Sequence, residues 1–162
     1  MRFACLTSLL LFTLLAADAR AAVVRLAPEF TYLAAGNQAR SLKSLRGQAV
    51  VLIISDSPRR GAFRKQLKYI QEIYQQFASK QVVFIAAVNN NDGTLPSNIP
   101  MAVATNGAAV ASAYGVQKGF QLVVIGRDGN IDYQTSKVVP PERVRDVIQN
   151  SFAVQTGARS GN

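Results

Sequence analysis

The chain has 162 residues, 18 of them basic and 9 acidic, for a net charge of +9, with one cysteine and no histidine. The missing histidine removes the commonest general base and the commonest metal ligand. A lone cysteine, Cys5, excludes an intrachain disulfide and a thiolate metal site.

The first 21 residues read as a secretory signal peptide. Arg2 gives a positive start, and Leu6 to Leu15 is an apolar run broken only by Thr7, Ser8 and Thr13. Ala17-Asp18-Ala19 and Ala19-Arg20-Ala21 both offer small residues for cleavage. The run is too short for a stable membrane span. Cys5 precedes it and so cannot anchor a lipid after cleavage. The expected address is the periplasm or the outside of the cell, with no membrane span in the mature chain. Cleavage after Ala21 removes Arg2, Arg20 and Asp18, leaving 16 basic and 8 acidic residues, a net of +8. It also removes the only thiol.

About 140 residues remain, one domain by length, expected over 22–155, with 156–162 as a flexible tail. Phe30 to Leu33 looks like a short strand, and Ala35-Gly36-Asn37-Gln38 like a turn. Ser41 to Gly47 suggests one helical turn, with Ser41 as cap and Gly47 as stop. Ala49 to Ile54 is continuously apolar and largely β-branched, as a strand buried on both faces should be. A helix follows from about Arg60 to Ala78. Phe63, Leu67, Ile70, Ile73, Tyr74 and Phe77 recur on one face of it, and Arg60, Arg64 and Lys68 recur every four residues on another.

Val82 to Val88 is a second central strand, followed by a polar loop over Asn89 to Asn98. Pro100 to Ala104 is a short extended piece, and Ala108 to Tyr114 a small helix stopped by Gly115. Gln121 to Ile125 is a third apolar strand. Arg127-Asp128-Gly129-Asn130 is a hairpin turn into Ile131 to Gln134. Pro140-Pro141-Glu142 opens a last helix carrying Val144, Val147, Ile148 and Phe152.

Ala27-Pro28-Glu29-Phe30, Leu42-Lys43-Ser44-Leu45-Arg46-Gly47, Ala113-Tyr114-Gly115-Val116 and Leu122 to Ile131 occur in this order and spacing. With them the chain resembles the thioredoxin-like superfamily. It is most similar to the exported redoxins and the alkyl hydroperoxide reductase/thiol-specific antioxidant type. The resemblance implies an α/β fold, a central mixed sheet flanked by helices, with chemistry at the corner between the first central strand and the helix after it. It places the family's paired cysteines near Arg59 and Ala62, or a single peroxidatic cysteine near Arg60. It places the family's cis-proline at Phe120. No thiol stands at any of these positions, so the family's redox activity is not expected, nor is any cofactor.

Ser57, Arg59, Arg60, Arg64, Lys68 and Phe120 form the candidate binding set at that corner. Cations at a helix N-terminus oppose the helix dipole, so a sequence that keeps them there suits an anion site. The ordinary alternative is a solvated helix face with arginine stems covering apolar surface. Phe120 is either an exposed aromatic for a partner or a plug in the groove where relatives bind substrate. Ser55 and Asp56 suggest a hydroxyl nucleophile or a carboxylate base, but no base stands ready to activate a serine. Turn and cap chemistry, with Ser57 or Asp56 capping the helix, is the simpler account. Asn89-Asn90-Asn91-Asp92-Gly93 has too little charge and the wrong pattern for calcium, so no metal is expected. The basic residues match no nucleic-acid module.

Two functions stay open. One is a non-catalytic module that binds or scaffolds an envelope protein. The other is a binder of anionic small molecules or polymers. A non-thiol enzyme is a distant third.

Overall fold

A computed structural model describes residues 25–34, 36–79, 82–89, 95 and 97–157. The segment expected to be a signal peptide, with Cys5, the last five residues and most of the Asn89 to Asn98 loop, lies outside the described residues. Thr31–Ala34 (β1) and Gln38–Ser41 (β2) pair antiparallel. The turn between them uses Gly36 and Asn37, both at positive φ. β2 is wholly exposed and has no apolar alternation to give it away, so its sequence reads only as loop. A 3-10 turn over Leu42–Leu45 buries both leucines, and Gly47 at φ +89 ends it.

Ala49–Ser55 (β3) is buried at every position. Its alternate residues feed two cores. Val51 and Ile53 face Gly61–Phe77 (α1) and Pro141–Gly157 (α3), meeting Phe63, Leu67, Ile70, Ile73, Phe77, Val144 and Ile148. Val50, Leu52 and Ile54 face the other way, toward the short helix Gly107–Ala113 (α2), Phe30 and Tyr114. A strand covered on both faces must be apolar on both, which is why this stretch shows no alternation. Each fully buried isoleucine or leucine contributes roughly 1.5–3 kcal/mol relative to exposure.

The remaining strands are Val82–Val88 (β4), Ala102–Ala104 (β5), Phe120–Ile125 (β6) and Ile131–Thr135 (β7). They complete one seven-stranded mixed sheet in the order β2-β1-β5-β4-β3-β6-β7. β3 and β4 run parallel, from Ala49↔Val82 to Ser55↔Val88, with α1 as the crossover. β6 returns antiparallel to β3, which sets Phe120 opposite Ser55. The β6–β7 turn closes with the Gly129 N–H donating to the Gly126 carbonyl at 2.8 Å.

α2 starts at Gly107, one residue before the expected start. Asn106 caps it by accepting the Ala109 N–H at 3.0 Å. Gly107 is pressed against β4, where a Cβ would overlap the Val88 carbonyl, so only glycine fits. α3 runs through Thr156 and Gly157, past the boundary expected at 155. Its entry is fixed by Gln66, which is fully buried in α1. The Gln66 Nε2 donates to the Val139 carbonyl at 3.1 Å, and its Oε1 accepts the Val139 N–H at 2.7 Å. Among the described residues no helix is long and apolar enough to cross a membrane.

Candidate functional site

β3 ends at Ser55, and the chain must turn before α1 begins. Ser55 is fully buried; its hydroxyl donates to the Ser57 carbonyl at 2.9 Å and accepts the Ser57 N–H at 3.3 Å. A serine held in its own turn and shielded from solvent has no access to a substrate. Ser57 Oγ in turn accepts the Arg59 N–H at 3.2 Å.

Asp56 ties the corner to the loop before β6. Its N–H donates to the Gly119 carbonyl at 3.0 Å, and its carboxylate accepts the Gly119 N–H at 2.9 Å. The Arg60 guanidinium grips the same carboxylate with two bonds, each 2.5 Å. The hydrogen bond from Arg60 holds the Asp56 carboxyl below its usual range; the Gly119 N–H adds to this, and desolvation opposes it. Asp56 raises the Arg60 pKa by the same contact. A carboxylate held ionised well below neutrality, with its oxygens already bonded, is a poor general base near neutrality.

These contacts overturn the cap assignment, agree with the simpler turn reading of Ser55 and Asp56, and decide between the two roles left open for Phe120. The residue that caps α1 is Arg60, and it makes no side-chain cap bond. Ser57 and Asp56 sit too far back, with their oxygens engaged in the turn and on Gly119. Ser55 and Asp56 are therefore not arranged as nucleophile and base. Phe120 is 5% exposed and packs in the α1/α3 core, so it is not an aromatic contact for a partner. Of the two roles left open for it, burial leaves filling the space.

Ser57, Arg59 and Arg60 do meet at the corner. Arg64 and Lys68 lie further along α1, both exposed. With Gly61, Lys65, Leu67 and Gln71 they line an open groove of about 520 Å³. Arg60 pairs with Asp56, whereas Arg64, Lys65 and Lys68 have no acidic partner among the described residues; Lys65 Nζ lies 5.7 Å over the Tyr69 ring. Arg60 therefore differs from the other cations, because its charge is already matched. The described residues hold no group of three or more Asp, Glu, His or Cys suited to a metal.

The stitch between Asp56 and Gly119 was not legible in the sequence, since it joins segments 63 residues apart. The Asp56–Arg60 pair was visible in principle, as opposite charges four residues apart across a turn.

No family model and no curated protein matches the chain. Solved structures do. A protein described as thiol:disulfide interchange protein DsbE from Chlorobium tepidum superposes with a TM-score of 0.66 at 18% identity. The match covers 79% of this chain and 96% of that one. Thioredoxin peroxidase I from Plasmodium yoelii gives 0.66 at 14% identity, covering 87% and 95%. A protein described as a disulfide isomerase from Bacteroides thetaiotaomicron gives 0.63 at 22% identity, covering 78% and 86%. The fold is thioredoxin-like. At such identities the likeness carries the architecture and not the chemistry. The thioredoxin-like corner here contains Ser57, Arg59, Arg60 and Ala62, and no sulfur.

Proposed function

We propose that the mature chain is an exported, non-catalytic binding module that holds a protein of the bacterial envelope against its former catalytic corner. The observation that carries this reading is the closed corner. Asp56 is bonded by Arg60 and Gly119, Ser55 is enclosed in its own turn, and Phe120 fills the interior beside them. What the corner still offers to solvent is Arg59, the outer side of Arg60 and Ser57. Those groups suit recognition by charge and hydrogen bonding, and they give no nucleophile.

The test is affinity capture from envelope extract with the mature chain as bait, washed at low and high salt. One or a few proteins retained at high salt, and lost with Arg59→Ala plus Arg60→Ala, support the reading. Capture unaffected by those substitutions removes the corner from it. Turnover of hydroperoxides, or reduction of insulin disulfides, by the purified chain overturns the non-catalytic part.

The second reading is a binder of anionic small molecules or polymers. Arg64, Lys65 and Lys68 favour it, being cations without an acidic partner among the described residues. It predicts binding that falls steeply with salt.

A further inference from the structure

We propose that the outer face of α1 is a docking groove for an extended acidic segment of a protein partner. This rests on the binding-module reading and names the chemistry that the partner must present.

Three observations lead there. The first is charge. α1 carries Arg64, Lys65 and Lys68 against one acid, Glu72. Glu72 does not line the groove and makes no ion pair among the described residues. The second is shape. The groove runs from Gly61 to Gln71, about 15 Å along the helix at 1.5 Å per residue. An extended peptide covers that span with about five residues. The Gln71 amide on the same face can both donate to and accept from a peptide backbone. The third is space at the near end. A Cβ at Gly61 meets nothing within 4 Å, so the absence of a side chain there keeps the mouth of the groove open.

Charge complementarity alone also fits an anionic lipid surface, but the shape does not. A bilayer rests on the tips of side chains and does not enter a groove. The one large apolar side chain strongly exposed among the described residues, Leu26, lies on the N-terminal segment beside Asn130, away from α1. The face therefore has no apolar anchor for a membrane.

The experiment is a fluorescence-anisotropy titration of the purified chain with a labelled hexaglutamate peptide, beside sedimentation with phosphatidylglycerol-containing vesicles. The expected result is saturable peptide binding that weakens with salt. Replacing the groove cations together (Arg64→Gln, Lys65→Gln, Lys68→Gln) should weaken it by about tenfold or more. Gly61→Gln keeps the charge, blocks the mouth and should weaken it by about fivefold. Removing the same charge elsewhere (Arg40→Gln, Lys43→Gln, Lys137→Gln) should change it by less than about twofold.

Equal loss in that control variant would make net charge the cause and overturn the groove. Vesicle binding indifferent to Gly61→Gln, without peptide binding, would overturn the peptide in favour of lipid. If the peptide fails while Arg59→Ala plus Arg60→Ala still abolish capture of the envelope protein, this inference falls and the corner reading stands. If capture ignores both corner and groove, the module reading itself falls.

Discussion

On the inner side of α1, Phe63, Leu67, Ile70, Ile73 and Phe77 are buried, and Gln66 between them is bonded at both ends of its amide. On the outer side, Arg64, Lys65 and Lys68 face solvent with no acidic partner among the described residues. The two sides alternate within a few residues, so one backbone serves both. The inner side is over-determined: each position meets β3, β4 or α3, and changing it disturbs the sheet. The outer side is less constrained: none of the three cations pairs with an acid among the described residues, and the one recorded contact is Lys65 Nζ 5.7 Å over the Tyr69 ring on the same helix. Residues that the fold does not need are where selection for binding leaves its mark. α1 lacks an acidic first turn and a side-chain cap, two ordinary stabilisers, and places cations there instead.

The sharpest way to break the inner side is a cavity. Ile70 is fully buried against both β3 and α3 residues. Ile70→Ala should cost about 3–4 kcal/mol, measured by urea unfolding, from lost burial and an unfilled space. Gln66→Leu comes next. It keeps the volume but leaves the Val139 N–H and carbonyl without partners inside the protein. The expected loss is about 2–3 kcal/mol, with faster hydrogen exchange at the start of α3. A cost below that of a typical surface change would show that α3 does not depend on this amide.

The corner lies between the two extremes. Asp56→Asn removes the charge that Arg60 and Gly119 recognise, at an expected cost of about 1 kcal/mol through the weakened Gly119 bond. Its pH profile is the better test. The folded pKa lies below the unfolded value near 3.8, so this carboxylate stabilises the fold above that value. The contribution is lost as pH falls from about 3.8 through the lowered folded pKa. Asp132 has the opposite sign, because burial raises its carboxyl even though Ser151 donates to it. Its contribution is lost as pH rises through the raised value. The difference between wild type and Asp56→Asn cancels Asp132 and should shrink towards zero in strong acid. A difference that stays constant with pH would mean that Asp56 holds the corner through geometry alone.

Much of this was legible in the residues. The unbroken apolar run Ala49 to Ile54, the three- and four-residue spacing in α1 and the Asp128-Gly129-Asn130 turn each fix a local structure through burial or backbone preference. Their order is enough for the fold. What stayed hidden depends on distant pairing. Gln66 looks like a polar interruption of an apolar stripe until Val139 is beside it. Phe120 was ambiguous because burial depends on what packs above it, and the core around Phe63 and Leu122 decides that. Ser57 and Asp56 looked like caps because they precede the helix. The cap position falls at Arg60, three residues after Ser57 and four after Asp56, so their oxygens serve the turn and Gly119 instead.

The smallest expected effect is the one that most sharpens the contrast between the two faces. The triple variant Arg64→Gln, Lys65→Gln, Lys68→Gln removes three charges from the helix and no contact from the core. Glutamine has nearly the helix propensity of arginine and lysine, so the backbone is not penalised. Arg64 and Lys65 lie in the N-terminal part of α1, where the unsatisfied N–H groups make the potential positive. Removing like charges there should leave the melting temperature unchanged or raise it by about 1–2 °C. The same gain should fade in high salt, since screening already weakens the repulsion. A variant that is equally or more stable and yet binds an acidic peptide less would separate the needs of the fold from those of recognition. A melting temperature lowered by several degrees would instead place these cations in the stabilising machinery, and the outer face would then be structural like the inner one.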